Sequence, residues 1–252
     1  MMLNSYHPFI HSFIHSLVHP LKPPLWKRLL SYFVELHIES SPSEVNPHLY
    51  VSLKNGRYQL CTANAVYSFE DLYTNFLWAF ERLELDKAPG KEVLVLGLGL
   101  GSIPFILENN LGRQFRYTAV ELDEAVIYLA NQYGLDGLSS PVTTICADAY
   151  AFLLQNEEQY SMICMDIFLD DLVPKPFESP EFLEALKDAL APGGLLLYNR
   201  LADNLRDQQA TQLFFEQRFL PVFPQGAYLD VGGNWILLNH KEAIKQNGRV
   251  KK

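Results

Sequence analysis

Apolar and polar residues follow two different periods along the chain. Between residues 32 and 66 the period is close to two, in the segments 33–39, 49–53 and 57–62, and such alternation predicts half-buried antiparallel strands. Asn55 and Gly56 lie between the last two segments and predict a two-residue hairpin turn. The pattern therefore predicts a small antiparallel β unit over residues 32–66.

From residue 67 to 240 the pattern alternates between short apolar runs and segments with helical spacing. The runs at 93–96, 116–120, 142–146, 162–165 and 195–198 predict strands, and the segments 68–83, 124–133, 149–154 and 180–190 predict helices. Strands that alternate with helices form a mainly parallel, doubly wound sheet. We therefore predict an α/β domain over residues 67–240.

The two ends of the chain differ from this domain. Residues 1–31 are rich in proline, so we expect a surface arm with one short helix at 24–30. Histidines recur there every four residues, but prolines interrupt them and no carboxylate or cysteine joins them, so we expect no metal site at His7, His11, His15 and His19. Residues 241–252 are basic, and we expect a flexible tail.

The composition narrows the possible partners. The formal net charge is -9, which disfavours binding to nucleic acid phosphates or to anionic membranes. No apolar run reaches the roughly 20 residues of a membrane span, so we expect a cytoplasmic protein. Cys61, Cys146 and Cys164 are far apart in the chain, and we expect buried, reduced thiols.

Candidate ligand-binding residues follow the predicted strands, where doubly wound sheets bind their ligands. Gly97, Gly99 and Gly101 come after the first parallel strand, where bare backbone amides can approach a ligand. Glu121 follows the second strand and can accept from ribose hydroxyls. Asp148 and Ala149 follow the third, where a carboxylate and a backbone amide can meet adenine. Together these residues describe a nucleoside site.

Several interpretations of this site stay open. The glycines fit a dinucleotide, S-adenosylmethionine or a tightly packed neighbouring helix, and their alternate spacing favours the single nucleoside, because a dinucleotide fingerprint needs glycine where Ser102 stands. Glu121 also fits a helix N-terminal acid, and Asp148 also fits a helix cap.

The order of these pieces resembles the spermidine synthase-like branch of the class I S-adenosylmethionine-dependent methyltransferase superfamily. The resemblance runs from about residue 33 to the carboxyl terminus, and it implies a seven-stranded Rossmann-like sheet after a small antiparallel unit, with the hairpin at 228–238 closing the sheet. Aminopropyltransferases carry an aspartate in the glycine loop for the amino group of the donor, where this sequence has Leu100. Their helix has a Tyr-Gln pair, where this chain has Phe69 and Glu70.

The resemblance also implies a catalytic carboxylate after the fourth parallel strand. Asp166 keeps that place, and Asp170 and Asp171 follow it. An acid beside a donor sulfonium can orient an amine or act as a general base. We name Asp166, Asp170 and Glu70 as catalytic candidates; the bland alternative for the last two is a solvated surface acid.

The predicted activity follows from these residues and from the resemblance. Leu100 departs from the aminopropyltransferase pattern, and of the Asp-Ser-Ser-Asp-Pro segment that those enzymes carry after strand four only the first aspartate, Asp166, keeps its place in this chain. We therefore favour a methyltransferase that uses S-adenosylmethionine and a small acceptor, for which an amine is one candidate. The alternatives are aminopropyl transfer from decarboxylated S-adenosylmethionine and a non-catalytic, nucleoside-binding dimeric homologue. We expect a homodimer that binds neither nucleic acid nor membranes.

Overall fold

The computed structural model of the chain describes residues 23–63, 65–169 and 172–246. The four regularly spaced histidines, the acidic pair Asp170 and Asp171, and the end of the basic tail at 247–252 lie outside the described residues. The predictions made for these segments therefore stay predictions.

An antiparallel sheet forms the first part of the described chain. The short helix α1 (Leu25–Leu30) precedes it. The four strands follow the order of the chain: β1 (Leu36–Ser40), β2 (Tyr50–Lys54), β3 (Arg57–Cys61) and β4 (Val66–Ser68). Asn55 and Gly56 have φ angles of 52° and 75°, as the predicted hairpin turn requires. The predicted antiparallel unit is confirmed.

The first strand starts later than the alternation predicts. Apolar and polar residues alternate over the segment 33–39, yet β1 begins only at Leu36. The amides of Phe33 and Val34 still donate to the carbonyl of Leu30, at distances of 3.0 and 3.1 Å. The end of α1 therefore holds these two residues in a turn.

The helix predicted at 68–83 is interrupted. Ser68 belongs to β4, Glu70–Leu72 form a single 3-10 turn, and α2 (Thr74–Glu81) begins after them. The hydroxyl of Ser68 lies 2.7 Å from the hydroxyl of Ser102, which holds Ser68 in the strand. Glu70 has a φ of 42°, a backbone conformation that no regular helix contains.

A seven-stranded sheet forms the larger part of the fold. Its strands are β5 (Glu92–Leu96), β6 (Arg116–Glu121), β7 (Val142–Cys146), β8 (Tyr160–Met165), β9 (Leu190–Leu201), β10 (Ala227–Asp230) and β11 (Asn234–Leu238), in the order β10-β11-β9-β8-β5-β6-β7. The five strands from β9 to β7 are parallel, and β11 and β10 add an antiparallel hairpin. The predicted doubly wound, mainly parallel sheet is confirmed.

Helices cover both faces of this sheet. They are α3 (Ser102–Phe105), α4 (Glu124–Tyr133), α5 (Ala149–Gln155), α6 (Pro180–Asp188), α7 (Leu205–Phe214) and α8 (Leu220–Val222). Successive side chains of a strand point to opposite faces, and in β5 Val93 and Val95 join one core while Leu94 and Leu96 join the other. Phe76 and Phe80 of α2 fill the first core, and Phe182 of α6 fills the second. Burial on both faces explains why the parallel strands are continuous apolar runs.

The cysteine prediction is correct for two residues and wrong for one. Cys61 and Cys164 are buried, whereas Cys146 is exposed. Cys146 ends β7, and β7 is the edge strand of the large sheet. Among the described residues no further strand pairs with that edge, so the apolar run alone overestimates burial.

Part of the predicted tail packs against the domain. Ile244 pairs with Leu83 after α2, and the amide of Lys245 donates to the carbonyl of Arg82 at 2.9 Å. Ala243 is buried, so its contacts order residues 241–246 although they read as polar and basic. Within the described ranges, no helix combines the length and the apolar composition that a membrane span needs.

Candidate active site

A cavity with a volume of about 620 Å³ opens at the carboxyl ends of the central strands. The strand order reverses here, because β6 and β7 lie on one side of β5 and β8 lies on the other, and ligands of doubly wound sheets bind at such a point. Six residues predicted from sequence line the cavity: Gly97, Gly99, Glu121, Asp148, Ala149 and Asp166. Six further polar residues line it too: Asn46, Tyr67, Tyr73, Asn75, Asn199 and Asn234.

The glycine loop is held by close contacts of its backbone. Gly97 has a φ of 87°, and a Cβ there would lie 2.4 Å from the carbonyl oxygen of Asp166. At Gly99, a Cβ would lie 2.8 Å from that of Ser68. Both glycines also line the cavity. Gly97 and Gly99 therefore meet both needs for glycine that the sequence left open. Close packing leaves no room for a side chain, and the bare backbone of the same two residues faces the cavity.

Gly101 lies on the other side of the loop. It does not line the large cavity, and a Cβ there would meet the side chain of Leu135 at 2.5 Å. Its φ of 84° lets the chain enter α3. The structure therefore gives Gly101 a packing role and does not bring it to the predicted nucleoside site.

Leu100 also points away from the large cavity. It is buried in a separate apolar cluster that lies between the antiparallel sheet and α4 and includes Leu49, Leu60 and Leu129. Leu100 stands where aminopropyltransferases carry the aspartate for the amino group of the donor, but in this chain it is not among the residues that line the large cavity. The antiparallel sheet supplies apolar partners that the loop sequence alone does not reveal.

Glu121 holds the glycine loop while it lines the cavity. Its Oε2 accepts from the amide of Leu98 at 3.0 Å, and its Oε1 accepts from the amide of Asp123 at 3.1 Å. Burial raises the pKa of the Glu121 carboxyl. Asp123, not Glu121, caps α4, because its Oδ1 accepts from the amide of Ala125. Each carboxylate oxygen of Glu121 has a further lone pair that can accept from a ligand hydroxyl.

Asp148 combines the two roles that the sequence left open. Its Oδ1 accepts from the amide of Ala151 at 2.8 Å and caps α5. The residue also lines the cavity with Ala149, which is buried. A cap fixes the carboxylate at the helix start, so the cap also positions this acid in the cavity wall.

Asp166 leaves the end of β8 and receives one hydrogen bond at each carboxylate oxygen. Tyr73 Oη donates to Oδ2 at 2.9 Å, and Asn199 Nδ2 donates to Oδ1 at 2.8 Å. Burial raises the pKa of Asp166 to about 6, and the two hydrogen bonds oppose that rise. Burial also raises the pKa of Tyr73 well above its usual value, so the phenol stays protonated and donates. A carboxyl that titrates near neutrality can accept a proton from a substrate.

Tyr73 and Asn199 are the partners of Asp166 that sequence reasoning missed. Tyr73 lay inside a helix predicted to be continuous, and only the break before α2 brings its hydroxyl to Asp166. The sequence gives one signal for these partners, because the polar residue Asn199 directly follows the apolar strand segment 195–198. Its exposed fraction is 0%, and buried carboxamides need hydrogen-bond partners.

Glu70 does not join this site. It lines a smaller cavity on the opposite side of the glycine loop, together with Leu100 and Gly101. Its Oε1 accepts from the amide of Tyr58 at 2.9 Å, and burial raises the pKa of its carboxyl. The structure therefore does not support Glu70 as a catalytic candidate, because β3 holds its carboxylate away from Asp166.

A loop between β1 and β2 forms part of the cavity wall beside α4. Asn46 Nδ2 and Ser43 Oγ both donate to Oδ2 of Asp123 at 2.6 Å. Tyr67 Oη donates to Oδ1 of Asn46 at 3.1 Å. Val45 and Asn46 line the cavity, so Asp123 links the α4 cap to the loop that covers the site.

The charged residues of the described cavity wall have one sign. They are Glu121, Asp148 and Asp166, and no Lys, Arg or His is among the described lining residues. Within the ranges that the structure describes, no group of three or more His, Cys, Asp or Glu side chains could hold a metal ion. The cavity therefore offers carboxylates and carboxamides, whose acceptor oxygens and negative charge suit a cationic ligand.

Two curated relatives are similar to part of the chain. A probable polyamine aminopropyl transferase of Bifidobacterium longum (strain NCC 2705) is 31% identical over 106 residues, which are 42% of this chain and 23% of that protein. A polyamine aminopropyltransferase of Vibrio vulnificus (strain CMCP6) is 28% identical over 112 residues, 43% of this chain and 37% of that protein. The matches thus span well under half of either relative. No family model matches the chain.

Solved structures extend the similarity to most of the fold. A probable spermidine synthase from Corynebacterium glutamicum ATCC 13032 has a TM-score of 0.60 at 19% identity, covering 80% of this chain and 78% of that one. A spermidine synthase in complex with the transition state analogue AdoDATO has a TM-score of 0.62 at 19% identity, covering 81% and 72%. This chain has the spermidine synthase fold.

The spermidine synthase fold belongs to the wider class I methyltransferase group. Human methyltransferase-like protein 13 in complex with SAH has a TM-score of 0.51 at 22% identity, covering 71% of this chain and 83% of that one. The expected resemblance to the spermidine synthase-like branch is confirmed, and the fold is one of S-adenosylmethionine-type transferases. The sequence alone favours methyl transfer, but the two curated relatives described above are aminopropyl transferases. Their similarity supports the alternative better than that preference.

We predict that raising the pH favours Asp166→Asn over the unaltered chain. The folded-state pKa of about 6 lies above the usual value, so ionising Asp166 costs stability as the pH rises from about 4 to about 7. Asparagine does not ionise, so the stability of the variant relative to the unaltered chain should rise by about 1 to 3 kcal/mol between pH 4 and pH 8; the lost hydrogen bond of Tyr73 or Asn199 lowers its stability at both pH values. Urea unfolding at pH 4 and pH 8 measures it.

Asp71→Asn is the matched control, with the opposite sign. The hydrogen bonds from Arg57 lower the pKa of Asp71, so its ionised form stabilises the fold above the usual aspartate pKa. Asp71→Asn should therefore destabilise the protein at pH 8. An Asp166→Asn variant that loses stability relative to the unaltered chain between pH 4 and pH 8, as Asp71→Asn should, would contradict the assignment of a raised pKa.

Proposed function

We propose that the chain is an aminopropyltransferase that moves the aminopropyl group of decarboxylated S-adenosylmethionine to an amine acceptor. The observation that carries the proposal is the position of Asp166, a carboxyl with a pKa of about 6, in a cavity whose described charged residues are all acidic. The similarity to polyamine aminopropyltransferases supports the same activity.

The residues at the ends of β6 and β7 fit the nucleoside part of the donor. Both oxygens of Glu121 face backbone amides of the glycine loop and of the turn before α4, so their remaining lone pairs suit the two ribose hydroxyls. Asp148 and Ala149 line the adjacent wall, where a carboxylate suits the adenine amine. We propose these roles because the three residues converge on one end of the cavity.

The sign of the charges distinguishes between the two donors. Intact S-adenosylmethionine carries a carboxylate, which the acids of the cavity wall repel, whereas the decarboxylated donor carries only the sulfonium and the ammonium charges. Charges in a partly buried site interact more strongly than in water. Leu100 is the main sequence argument against aminopropyl transfer, and it loses its force because the residue packs outside the cavity.

The bound donor supplies a methylene carbon activated by the positive sulfur, with neutral methylthioadenosine as the leaving group. Asp166 accepts a hydrogen bond from the acceptor amine and takes one proton as the new C–N bond forms and the C–S bond breaks. Tyr73 and Asn199 each donate to one oxygen of the Asp166 carboxylate. Each of these oxygens keeps a second lone pair that can face the amine. Phe168, Leu169 and Phe177 in the same wall exclude water from the reacting atoms.

Methyl transfer is the competing activity within the same fold. The similarity to human methyltransferase-like protein 13 in complex with SAH is compatible with it. A non-catalytic homologue that binds only the nucleoside is the other alternative, and the homodimer stays a prediction. Donor affinity and turnover separate these activities.

We predict that decarboxylated S-adenosylmethionine binds at least about tenfold more tightly than the intact donor, a difference of about 1.4 kcal/mol. The reason is the acidic cavity wall, which lacks a described cation for the methionine carboxylate. Calorimetric titration with both donors measures it, with NAD as the control ligand. Tighter binding of intact S-adenosylmethionine, with methyl transfer to an amine, would make methyl transfer the function.

We predict that Glu121→Gln reduces the increase in melting temperature that methylthioadenosine causes. Glutamine has one acceptor oxygen and no charge, so the variant loses a charge-assisted hydrogen bond to ribose. Glu108→Gln is a matched control, because Glu108 also accepts from two backbone amides, those of Ser139 and Ser140, but does not line the cavity. Equal losses in both variants would show that Glu121 acts only on the backbone. Thermal unfolding with and without the nucleoside provides the comparison.

We predict that kcat/KM for aminopropyl transfer rises with pH through about pH 6, the pKa of Asp166. Tyr73→Phe removes a donor to the ionised carboxylate, so it should move this limb upward by about one pH unit. Tyr67→Phe removes a hydroxyl from the same cavity wall that donates to Asn46, and the hydrogen bonds that affect the pKa of Asp166 come from Asn199 and Tyr73. This variant should therefore leave the limb in place. An unchanged limb in Tyr73→Phe would exclude Asp166 as the group that titrates.

A further inference from the structure

Two carboxamides continue the hydrogen-bond chain that starts at Asp166. Asn199 Nδ2 donates to Oδ1 of Asp166 at 2.8 Å, and Asn234 Nδ2 donates to Oδ1 of Asn199 at 3.0 Å. Asn199 lies on β9 and has an exposed fraction of 0%. Asn234 begins β11 and lines the same cavity as Asp166. This series of hydrogen bonds therefore connects Asp166 through the buried Asn199 to Asn234 in the cavity wall.

The direction of this chain is fixed by chemistry. An ionised carboxylate only accepts hydrogen bonds, so Asn199 must turn its NH₂ group toward Asp166. Its carbonyl oxygen then faces Asn234 and needs a donor, because a buried carbonyl without a partner is costly. Asn234 supplies that donor. The orientation of Asn199 thus depends on Asn234.

The strand register explains why the three groups meet. Asn199 is paired with Ile236 and Asn234 with Leu201 across the β9–β11 ladder. β9 is also paired with β8, the strand that ends just before Asp166. Asn199 and Asn234 therefore lie on the same face of the sheet, because Asn199 is opposite Ile236 and Asn234 is two residues before it.

We propose that Asn199, oriented by Asn234, is a positioning residue that holds the Asp166 carboxylate in the orientation that receives the proton of the acceptor amine. The inference rests on the proposed function. Tyr73 fixes the second oxygen from the opposite side, so the carboxylate is held at two points and cannot rotate away from the acceptor.

The titratable groups around Asp166 come from several elements. Tyr73, before α2, bonds it directly. Cys164 precedes it in β8, and burial together with the charge of Asp166 raises the pKa of that thiol. Glu121 and Asp148 lie at the nucleoside end of the same cavity. Asn199 and Asn234 do not titrate, so a change at either residue reaches Asp166 through the hydrogen-bond chain.

The test uses one variant at each carboxamide and a control. Asn199→Leu removes the donor at nearly constant size, and Asn234→Ala removes the group that orients it. Asn239→Leu is the control: Asn239 also bridges strands, accepting from the amide of Leu196 and donating to the carbonyl of Gly194, but it does not line the cavity. All three variants lose hydrogen bonds of the same sheet.

The first readout needs no activity. The ¹³C resonance of the Asp166 carboxyl, assigned by its loss in Asp166→Asn, gives the titration midpoint directly. We expect Asn199→Leu to raise the midpoint by about one pH unit, Asn234→Ala to raise it by less, and Asn239→Leu to leave it unchanged. The acidic limb of kcat/KM should move by the same amounts while KM for the donor stays constant.

The outcomes separate this inference from the proposed function. If the midpoint moves as expected but the unaltered chain transfers no aminopropyl group, the positioning role stands and the proposed function fails. If the chain is active and the midpoint of Asn199→Leu does not move, the positioning role is overturned. Should Asn199→Leu fail to fold, Asn234→Ala decides, because Asn234 is only half-buried; unchanged midpoint and kcat in that variant would overturn the role of the pair.

Discussion

The site depends on the close approach of two strand ends. β5 and β8 are neighbours in the sheet, and their chains leave it side by side, so that a Cβ at Gly97 would lie 2.4 Å from the carbonyl oxygen of Asp166. Only glycine allows this approach, since its φ is 87° and no side chain fits the space. The same contact puts the glycine loop next to the Asp166 carboxylate. The backbone packing and the placement of Asp166 beside the glycine loop are therefore one feature of the fold.

The three carboxylates of the cavity wall accept hydrogen bonds from uncharged donors, which leave their negative charge in place. Glu121 is held by two backbone amides, Asp148 by a helix start, and Asp166 by a phenol and a carboxamide. Neutral donors satisfy an acid without neutralising its charge, in contrast to the Arg57–Asp71 pair, where the cation lowers the pKa of the acid. The wall thus keeps its negative charge for a ligand, and burial keeps the pKa of Asp166 close to neutrality.

Sequence reasoning succeeded where local pattern decides the structure. Apolar runs identify the buried parallel strands because both faces of the sheet are covered, and the acids Glu121, Asp148 and Asp166 could be found because they follow such runs. It failed where a distant segment decides. Leu100 packs with Leu49 and Leu129, and Glu70 is held by β3. Tyr73 donates to Asp166, which is 93 residues further along the chain. The single sequence does not give those pairings.

The glycine loop therefore lies between two environments. Gly97 and Gly99 face the cavity, while Leu100 and Gly101 face the apolar cluster and the smaller cavity behind it. The residue at position 100 helps to anchor the loop to the antiparallel sheet, so the loop presents only backbone to the cavity. Backbone amides do not distinguish an aminopropyl tail from a methionine tail by charge. For the proposed donor, that distinction must come from side chains that other segments bring to the wall, among them Asn46, Asn75 and Asp166, and this explains why a glycine motif predicts a nucleoside site without predicting a reaction.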